Sequence, residues 1–274
     1  MTSTPAQKAE TLRALQAAPG SFVIANVWDA GSAKLMRGLG FPALATSSGA
    51  EAGVLGRTDG HVTRDEALAH AQAIVEAVDL PVSADLENGF ADSPEEVART
   101  IALAARTGLA GGSIEDTTGN PEKPLYETDL AVRRVASAVA AARAAGFPFV
   151  LTGRTDCFLR GRPDLGEVVA RLRAFEAAGA DVLMAPGLPD LDAVRTVCAA
   201  VGKPVNFMAG IPGKSFTVRE LTEAGVKRIS LATSLFRAAM AGALAAAAEV
   251  KDKGTFTYLD RILPTSQWNK LMVD

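Results

Sequence analysis

The sequence predicts an α/β fold, a closed (β/α)8 barrel of the TIM type, and three observations predict it. An alanine-rich helical pattern, a glycine that ends it and a short apolar run recur along the chain. The apolar runs are continuous rather than alternating, as in parallel strands covered on both faces. A length of 274 residues suits one such barrel. A single domain over 1-274 is therefore expected, with a C-terminal helical tail over about 251-274.

The cadence sets the elements in order. An initial helix over about Pro5 to Ala17 precedes a first strand at Phe22 to Asn26. Gly40, Gly108, Gly146, Gly179, Gly202 and Gly225 read as helix stops, because glycine takes the left-handed backbone just past a helix end at little cost. Strands follow them at Pro42 to Leu44, Ala110 to Ile114, Pro148 to Leu151, Asp181 to Met184, Pro204 to Phe207 and Arg228 to Leu231. A helix from about Thr63 to Val78 leads through Leu80-Pro81 into Val82 to Asp85, which completes eight strands. After the eighth, Thr233 to Val250 reads as a long helix. Phe256 to Trp268, with Leu259, Ile262 and Leu263, is an apolar tail that needs a surface to cover, either its own barrel or a neighbouring subunit.

Composition narrows the partners. Hydrophobic residues make up 48%, enough for a large core, and the net charge of −3 comes from interspersed signs with no basic, aromatic-interleaved stripe. Nucleic acid is not an expected partner. Met1 to Ala18 carries Lys8, Glu10 and Arg13 and lacks the apolar core of a signal peptide. Ala238 to Ala248 is too short to span a bilayer and is bounded by Arg237 and Glu249, so no membrane is expected either. Cys157 and Cys198 lie far apart without metal-ligand spacing, which fits a reduced, cytoplasmic protein.

The candidate chemistry concentrates in Val82 to Phe90. A buried strand there sets two carboxylates one residue apart before a glycine turn. Period-two geometry turns Asp85 and Glu87 the same way. Like charges that close need a cation, a proton or an arginine between them, unless both are solvated turn residues. Oxygen ligands suit a hard ion, Mg2+ or alternatively Mn2+.

In such a barrel the chemistry sits where strands end. Those ends read, in order, Asn26 with Trp28 and Asp29, Ser47-Ser48-Gly49, Asp85 and Glu87, Glu115-Asp116, Arg154 with Asp156, Ala185-Pro186, Asn206 and Ser230. Asp85, Glu87 and Glu115 come from neighbouring strands and are expected to converge on one ion, with Asp59 in the loop Gly56 to Gly60 as a fourth candidate. Arg154 is the strand-end cation, its planar fork suited to a substrate carboxylate or phosphonate, or to plain pairing with acids. Ser48-Gly49-Ala50 offers backbone N–H groups for an oxyanion, or is simply a turn. Together these parts describe a metal holding an α-keto acid while an enolate forms.

Asn26-Val27-Trp28-Asp29-Ala30, the Ser48-Gly49 turn, Ala84 to Gly89, Ile114-Glu115-Asp116, Gly153-Arg154-Thr155-Asp156 and Pro204-Val205-Asn206 match, in order and spacing, the isocitrate lyase and phosphoenolpyruvate mutase superfamily. The resemblance covers nearly the whole chain. It implies a barrel whose last helix is exchanged between subunits of a homodimer or homotetramer, and a Mg2+ site for small α-keto or 2-hydroxy acids. By the same resemblance Asp85 looks like the principal metal ligand, with Asp59, Glu87 and Glu115 completing the shell through water. Ser48, Gly49 and Ala50 look like the oxyanion-binding turn, Arg154 and Asn206 like substrate ligands, and Thr117 to Glu127 like a gating loop over the substrate. Arg154, Glu115 and Ser48 are the residues expected to serve catalysis.

Departures from the family pattern bear on the reaction. Isocitrate and methylisocitrate lyases carry a cysteine and a histidine in the gating loop, and Asp116 to Asn120 has neither. Mutases and phosphonopyruvate hydrolases place lysine directly after the Glu-Asp pair, and here Thr117 stands there. Where lyases place Glu and mutases His at the end of strand six, the sequence reads Ala185. The expectation is a carbon-carbon lyase acting through an enolate, by oxaloacetate-type decarboxylation or hydrolysis or by 2-methylisocitrate-type cleavage. The alternatives are carbon-phosphorus chemistry and a keto-acid-binding protein without catalysis. His61 reads as a solvent-facing loop residue that could instead approach the site, His70 as structural, Cys157 as a small core residue or a cavity-lining one, Trp28 as pocket wall or core, and Asp156 as the partner that orients Arg154.

Overall fold

The computed structural model describes residues 3–273; Met1, Thr2 and Asp274, at the ends of the expected span, lie outside the described residues. Eight parallel strands close into a barrel: β1 Phe22–Asn26, β2 Leu44–Ala45, β3 Val82–Asp85, β4 Gly111–Glu115, β5 Val150–Arg154, β6 Val182–Met184, β7 Val205–Met208 and β8 Arg228–Ser230, with β8 pairing back onto β1. The helices are α1 Pro5–Ala17, α2 Ala30–Gly38, α3 Ser48–Val54, α4 Arg64–Ala77, α5 Pro94–Arg106, α6 Thr128–Arg143, α7 Leu165–Ala177, α8 Leu191–Ala200, α9 Val218–Glu223, α10 Ser234–Lys253 and α11 Thr265–Met272. The predicted fold class is the observed one.

Local chemistry explains the boundaries. Thr4 opens α1, Thr63 opens α4 and Thr217 opens α9, each with a reciprocal capping box whose partner lies three residues on. Five of the six glycine stops take positive φ, among them Gly179 at +100° and Gly225 at +94°. Gly202 does not, because α8 leaves through Val201 in extended backbone.

One end of the barrel is shut. Ala9 and Leu12 of α1 pack, fully buried, in a cluster with Ala43, Ala110, Val150 and Val182 at the starts of the strands. The lumen can therefore open only at the carboxyl ends of the strands, which is where a site can form. Asn26 fastens that open rim across the closure: its Nδ2 donates to the Thr46 carbonyl at 2.7 Å, and its Oδ1 accepts the N–H groups of Leu231 at 2.7 Å and Ala232 at 3.0 Å.

The last helix behaves differently from the rest. The first turn of α10 sets Phe236 edge-on to Trp28 at 5.6 Å, but α10 buries none of its residues and leaves Met240 and Leu244 exposed. The tail then returns to α2: Lys34 Nζ reaches the Met272 carbonyl at 2.9 Å and Leu271 lies over Gly38. It covers α2 only in part, since Phe256, Leu259 and Ile262 each keep more than half of their surface exposed, at 58%, 51% and 53%.

His70 ties α4 to the rim. One ring nitrogen lies 2.8 Å from the Trp28 carbonyl and the other 3.3 Å from Glu51 Oε2, a carboxylate 3% exposed. Burial works to lower the imidazole pKa, but the hydrogen bonds to Glu51 and Trp28 and the charges of Glu51 and Asp29 outweigh it, and the net shift is upward. A raised value means the pair's stabilisation is complete below the ordinary imidazole pKa of about 6.5 and is lost as pH rises through the folded value. Replacing His70 by leucine should cost about 3 kcal/mol at pH 6. In urea unfolding the gap to the unmodified protein should narrow by pH 9; a gap constant with pH would show that His70 is not charged in the fold.

Candidate active site

Two adjoining cavities occupy the open end. The inner one, of about 200 Å3, descends into the lumen and is lined by Ser48, Gly49, Asp59, Asp85, Arg154, Met184, Asn206, Arg228 and Ser230, among others. The outer one, of about 800 Å3, spreads under the loops and is lined by Glu87, Asn88, Glu115, Thr117, Thr118, Gly119 and His61. Ser48, Asp59 and Arg154 line both, so the two communicate at these residues.

Arg154 is the hub between them. Asp156, fully buried, grips it with two hydrogen bonds, Nε to Oδ1 at 2.6 Å and Nη2 to Oδ2 at 2.9 Å. Nη1 faces Glu115 Oε2 at 3.0 Å and Asp85 Oδ1 at 3.8 Å. Such a bidentate grip fixes the plane of the guanidinium and aims its remaining edge. Asp85 in turn accepts from Ser48, whose backbone N–H is at 3.2 Å and whose Oγ is at 3.0 Å from Oδ2. Asn206 donates from Nδ2 to Ser230 Oγ at 2.9 Å and accepts from Arg228 Nε at 2.8 Å.

The mouth carries excess negative charge. Burial pushes the Glu87 carboxyl up to about 7, and the neighbouring charges of Asp85, Asp59 and Glu51 push the same way against Arg154. Glu115 is raised as well, chiefly by burial, with Arg154 opposing and Asp156 and Asp85 adding. Thr117 donates its hydroxyl to Glu115 Oε1 at 2.5 Å, so this threonine holds the carboxylate where the resembled mutases place a lysine.

Several expected positions are refined. Asp85 and Glu87 do not point the same way: β3 stops at Asp85, and Glu87 takes a left-handed φ of 47°, which turns it to the outer cavity while Asp85 faces the inner one. Ser48-Gly49-Ala50 is not an open turn but the start of α3, and the Ala50 N–H is engaged by the Ser47 carbonyl at 3.1 Å. Ala50 consequently lines neither cavity, whereas Ser48 and Gly49 do. A Cβ on Gly49 would come within 3.4 Å of the Asp59 carboxylate and closer still to Thr233, so only glycine allows this approach. At the end of strand six the inward residue is Met184, in register with Arg154 and Asn206; Ala185 and Pro186 face elsewhere. His61 lines the outer cavity, with its ring against Thr58 and the Asp59 carbonyl. Cys157 is buried against Thr155 and Trp28 packs on Phe236, and both stay outside the cavities. Asp156 orients Arg154 as expected. The reading of β8 as an apolar strand overlooked Arg228; its spacing of two from Ser230, which turns both into the lumen, was the available signal.

The donor set fits a hard divalent cation. Among the described residues no three carboxylate, histidine or cysteine side chains gather tightly enough to enclose an ion by themselves. That suits Mg2+, which takes one or two carboxylates and fills its shell with water and substrate oxygen. Burial raises Glu87 first and the charges of Asp85, Asp59 and Glu51 second, and a cation there would offset both.

Comparison with known proteins places this geometry in a family. The family model described as phosphoenolpyruvate phosphomutase matches residues 12–251. The chain belongs to the PEP mutase/isocitrate lyase superfamily. It is similar to a Burkholderia cenocepacia J2315 protein described only as a lyase/mutase, at 49% identity and a TM-score of 0.95, over 97% of this chain and 96% of that one. It is similar also to a 2,3-dimethylmalate lyase structure, at 30% identity and a TM-score of 0.86, over 99% and 95%. An oxaloacetate decarboxylase of Paraburkholderia xenovorans (strain LB400) is 32% identical over 222 residues, which are 76% of this chain and 70% of that protein.

Within this PEP mutase/isocitrate lyase superfamily chain, a second buried pair supports the hub from behind. Asp116, 2% exposed, accepts from Thr155 Oγ1 at 2.7 Å, from the Asp156 N–H at 2.9 Å and from Arg171 Nη1 at 3.2 Å. It thus fixes the two residues that follow Arg154. Arg171→Met should lower stability by about 3 kcal/mol, because the carboxylate left behind is buried without its cation. Equilibrium urea unfolding measures this, and a loss below about 1 kcal/mol would mean that Thr155 and the Asp156 N–H satisfy Asp116 unaided.

Proposed function

We propose that this chain is a Mg2+-dependent carbon-carbon lyase that cleaves a small α-keto diacid beside its carbonyl, with oxaloacetate-type decarboxylation as the reading supported best. The observation that carries it is the pairing of an acidic, arginine-centred mouth with cavity walls that lack a proton-transferring cysteine, histidine or lysine from the gating loop or strand six. Thr117, Thr118 and Gly119 are what the loop presents, and Met184 is what strand six presents. Retro-aldol cleavage pairs a base for the hydroxyl proton with an acid for the enolate carbon, and hydrolysis needs an activated water. Glu87, raised to about 7, is a base in the outer cavity, and the loop and strand six supply no second proton carrier. Decarboxylation needs none of these to break its bond: the electron pair left by departing CO2 becomes the enolate, which takes a proton from solvent. The decarboxylase among the relatives supports the same choice.

Asp85 would hold the cation, with Asp59, Glu87 and Glu115 around it, and the chemistry supplied there is Lewis-acid stabilisation of charge building on the keto oxygen. Ser48 offers its hydroxyl and backbone N–H to an oxyanion, and Gly49 lets the ligand approach the backbone. Arg154, its plane fixed by Asp156, binds substrate oxygen and stays charged beside Glu115. The acidic residues of the mouth repel a carboxylate that points toward them, and that repulsion vanishes as the carboxylate leaves as neutral CO2.

Oxaloacetate, 2-methylisocitrate, 2,3-dimethylmalate and phosphonopyruvate, each assayed with Mg2+, separate the readings. Pyruvate and CO2 should form from oxaloacetate, with loss of at least 100-fold, or about 2.7 kcal/mol, on chelation or in Asp85→Asn. Phosphate released from phosphonopyruvate alone would move the assignment to carbon-phosphorus chemistry. Tight oxalate binding without any turnover would leave a binding protein.

We also infer that α10 is exchanged between subunits of a homodimer or homotetramer, supported by its lack of buried residues and the exposed Met240 and Leu244. Light scattering should report an even-numbered oligomer, and a stable monomer would end this proposal. No helix of the described residues is long and apolar enough to cross a membrane. A cytoplasmic setting is proposed on the two thiols, Cys157 and Cys198, which remain free.

A further inference from the structure

Three arginines are buried among the described residues; Arg134 and Arg228 make no ion pair, and of these two only Arg228 has no acid near enough to act on its charge. Arg134 gives its Nη atoms to the carbonyls of Asn88, Ala91 and Asp92 and lies 4.0 Å over the Tyr126 ring. Arg171 pairs with Asp116 at 3.2 Å and Glu167 at 2.9 Å. Arg228, 4% exposed, meets only neutral acceptors: Nε donates to Asn206 Oδ1 at 2.8 Å and Nη2 to Thr152 Oγ1 at 2.9 Å. Its Nη1 is buried with no partner at all.

An isolated guanidinium in a protein interior is unfavourable unless an anion joins it. Burial alone lowers its pKa to about 10, with no neighbouring charge acting on it, so it is still a cation at neutral pH. Arg228 is placed where such an anion can come. It lines the inner cavity together with Ser48, Gly49 and Asp85. Its depth in the lumen follows from the strand register: Arg228 opens β8 opposite Phe22, the first residue of β1, and its guanidinium reaches Thr152, midway along β5. Asp85 ends β3, so the guanidinium lies deeper in the tilted barrel than the expected metal ligand. Arg154 does not do the same work, because Asp156, Glu115 and Asp85 already oppose its charge.

We propose that the Arg228 guanidinium binds the acid group that the substrate keeps, and so sets which end of a keto diacid lies deep and which faces the acidic mouth. The proposal rests on the reading of the cavity as a keto-acid site. The retained carboxylate is anchored in the lumen by an otherwise unpaired cation. The carboxylate to be lost is left among Asp59, Glu87 and Glu115, where its departure relieves repulsion. Orientation of this kind is specificity by charge rather than by shape, and it predicts weak binding of neutral keto compounds.

Binding, not turnover, tests it. Pyruvate, its neutral amide pyruvamide, and malate are titrated into the full-length protein with Mg2+, and dissociation constants are read from intrinsic fluorescence or calorimetry. The unmodified protein should prefer pyruvate over pyruvamide at least tenfold. Arg228→Met should weaken pyruvate and malate alike by tenfold or more, leave pyruvamide within about twofold, and so erase the preference. Arg228→Lys, which keeps the charge without the fork, should restore part of it, and it replaces the methionine variant if circular dichroism shows that one unfolded. Unchanged pyruvate affinity in either variant, or equal weakening of pyruvate and pyruvamide, overturns the proposal, the first because the anion sits elsewhere and the second because Arg228 only braces the barrel. Loss of malate affinity with pyruvate retained also overturns it, since the arginine would then hold the departing end. A protein that shows the predicted binding pattern but turns over no oxaloacetate leaves this inference standing and removes only the decarboxylation reading.

Discussion

The site depends on one constraint, the placement of a guanidinium among more carboxylates than it can neutralise. Arg154 satisfies Asp156 through two hydrogen bonds and faces Glu115 and Asp85 with the edge that remains. Glu87 and Asp59 are left over, and Glu87 rises to about 7 chiefly because it is buried, with the charges of Asp85, Asp59 and Glu51 adding to the rise. A barrel shut at one end by Ala9 and Leu12 gives those charges nowhere to go but the open rim. Such crowding is relieved by a proton or by a cation, and it is the ground for the proposed divalent-cation site.

Much of this was legible in the chain. The barrel was readable because six units repeat the same sequence of alanine-rich helix, glycine and apolar strand, and with the strands at Phe22 and Val82 they make eight, which constrains closure better than any one element does. Asp85, Glu115 and Arg154 were placed at the open end because each is the last residue of its strand, whereas Asn206, expected at a strand end, is the second residue of β7 and reaches the cavity from within the strand. Glu87 was placed on the wrong side because period-two reasoning continues a strand past its last residue, and here β3 ends at Asp85 and the backbone turns left-handed two residues on. Ala50 was miscounted because a short helix opening looks, in sequence, like any serine-glycine turn. Arg228 was overlooked for a different reason. A single basic residue at the start of a short strand reads as surface, and only closure of the barrel turns it into the lumen.

α10 and the rim are linked through Trp28. Its carbonyl meets His70 and its ring meets Phe236 on the first turn of α10, so the helix that leaves the barrel begins on a residue clamped from the other side by α4. Gly53 of α3 lies under the same Phe236 ring, and α3 begins with Ser48. Movement of α10, whatever covers its outer face, would therefore be felt at Ser48 through two packing contacts rather than through the barrel. This is a route of contact, and its energetic weight depends on how rigidly Asp85 holds the Ser48 hydroxyl.

The polarity of the lumen gives the last step. At the mouth, carboxylates outnumber cations; deeper in the lumen than Asp85, an arginine stands without an ion-pair partner. A keto diacid placed between them feels a gradient, attraction for one end and repulsion for the other, and the two ends become chemically distinct although both are carboxylates. The field does part of what a proton donor does in relatives with an ionisable lid: it makes one bond the weaker one. On the proposed reading the outer-cavity residues Thr117, Thr118 and Gly119 need supply no proton, only exclude water and so strengthen that field.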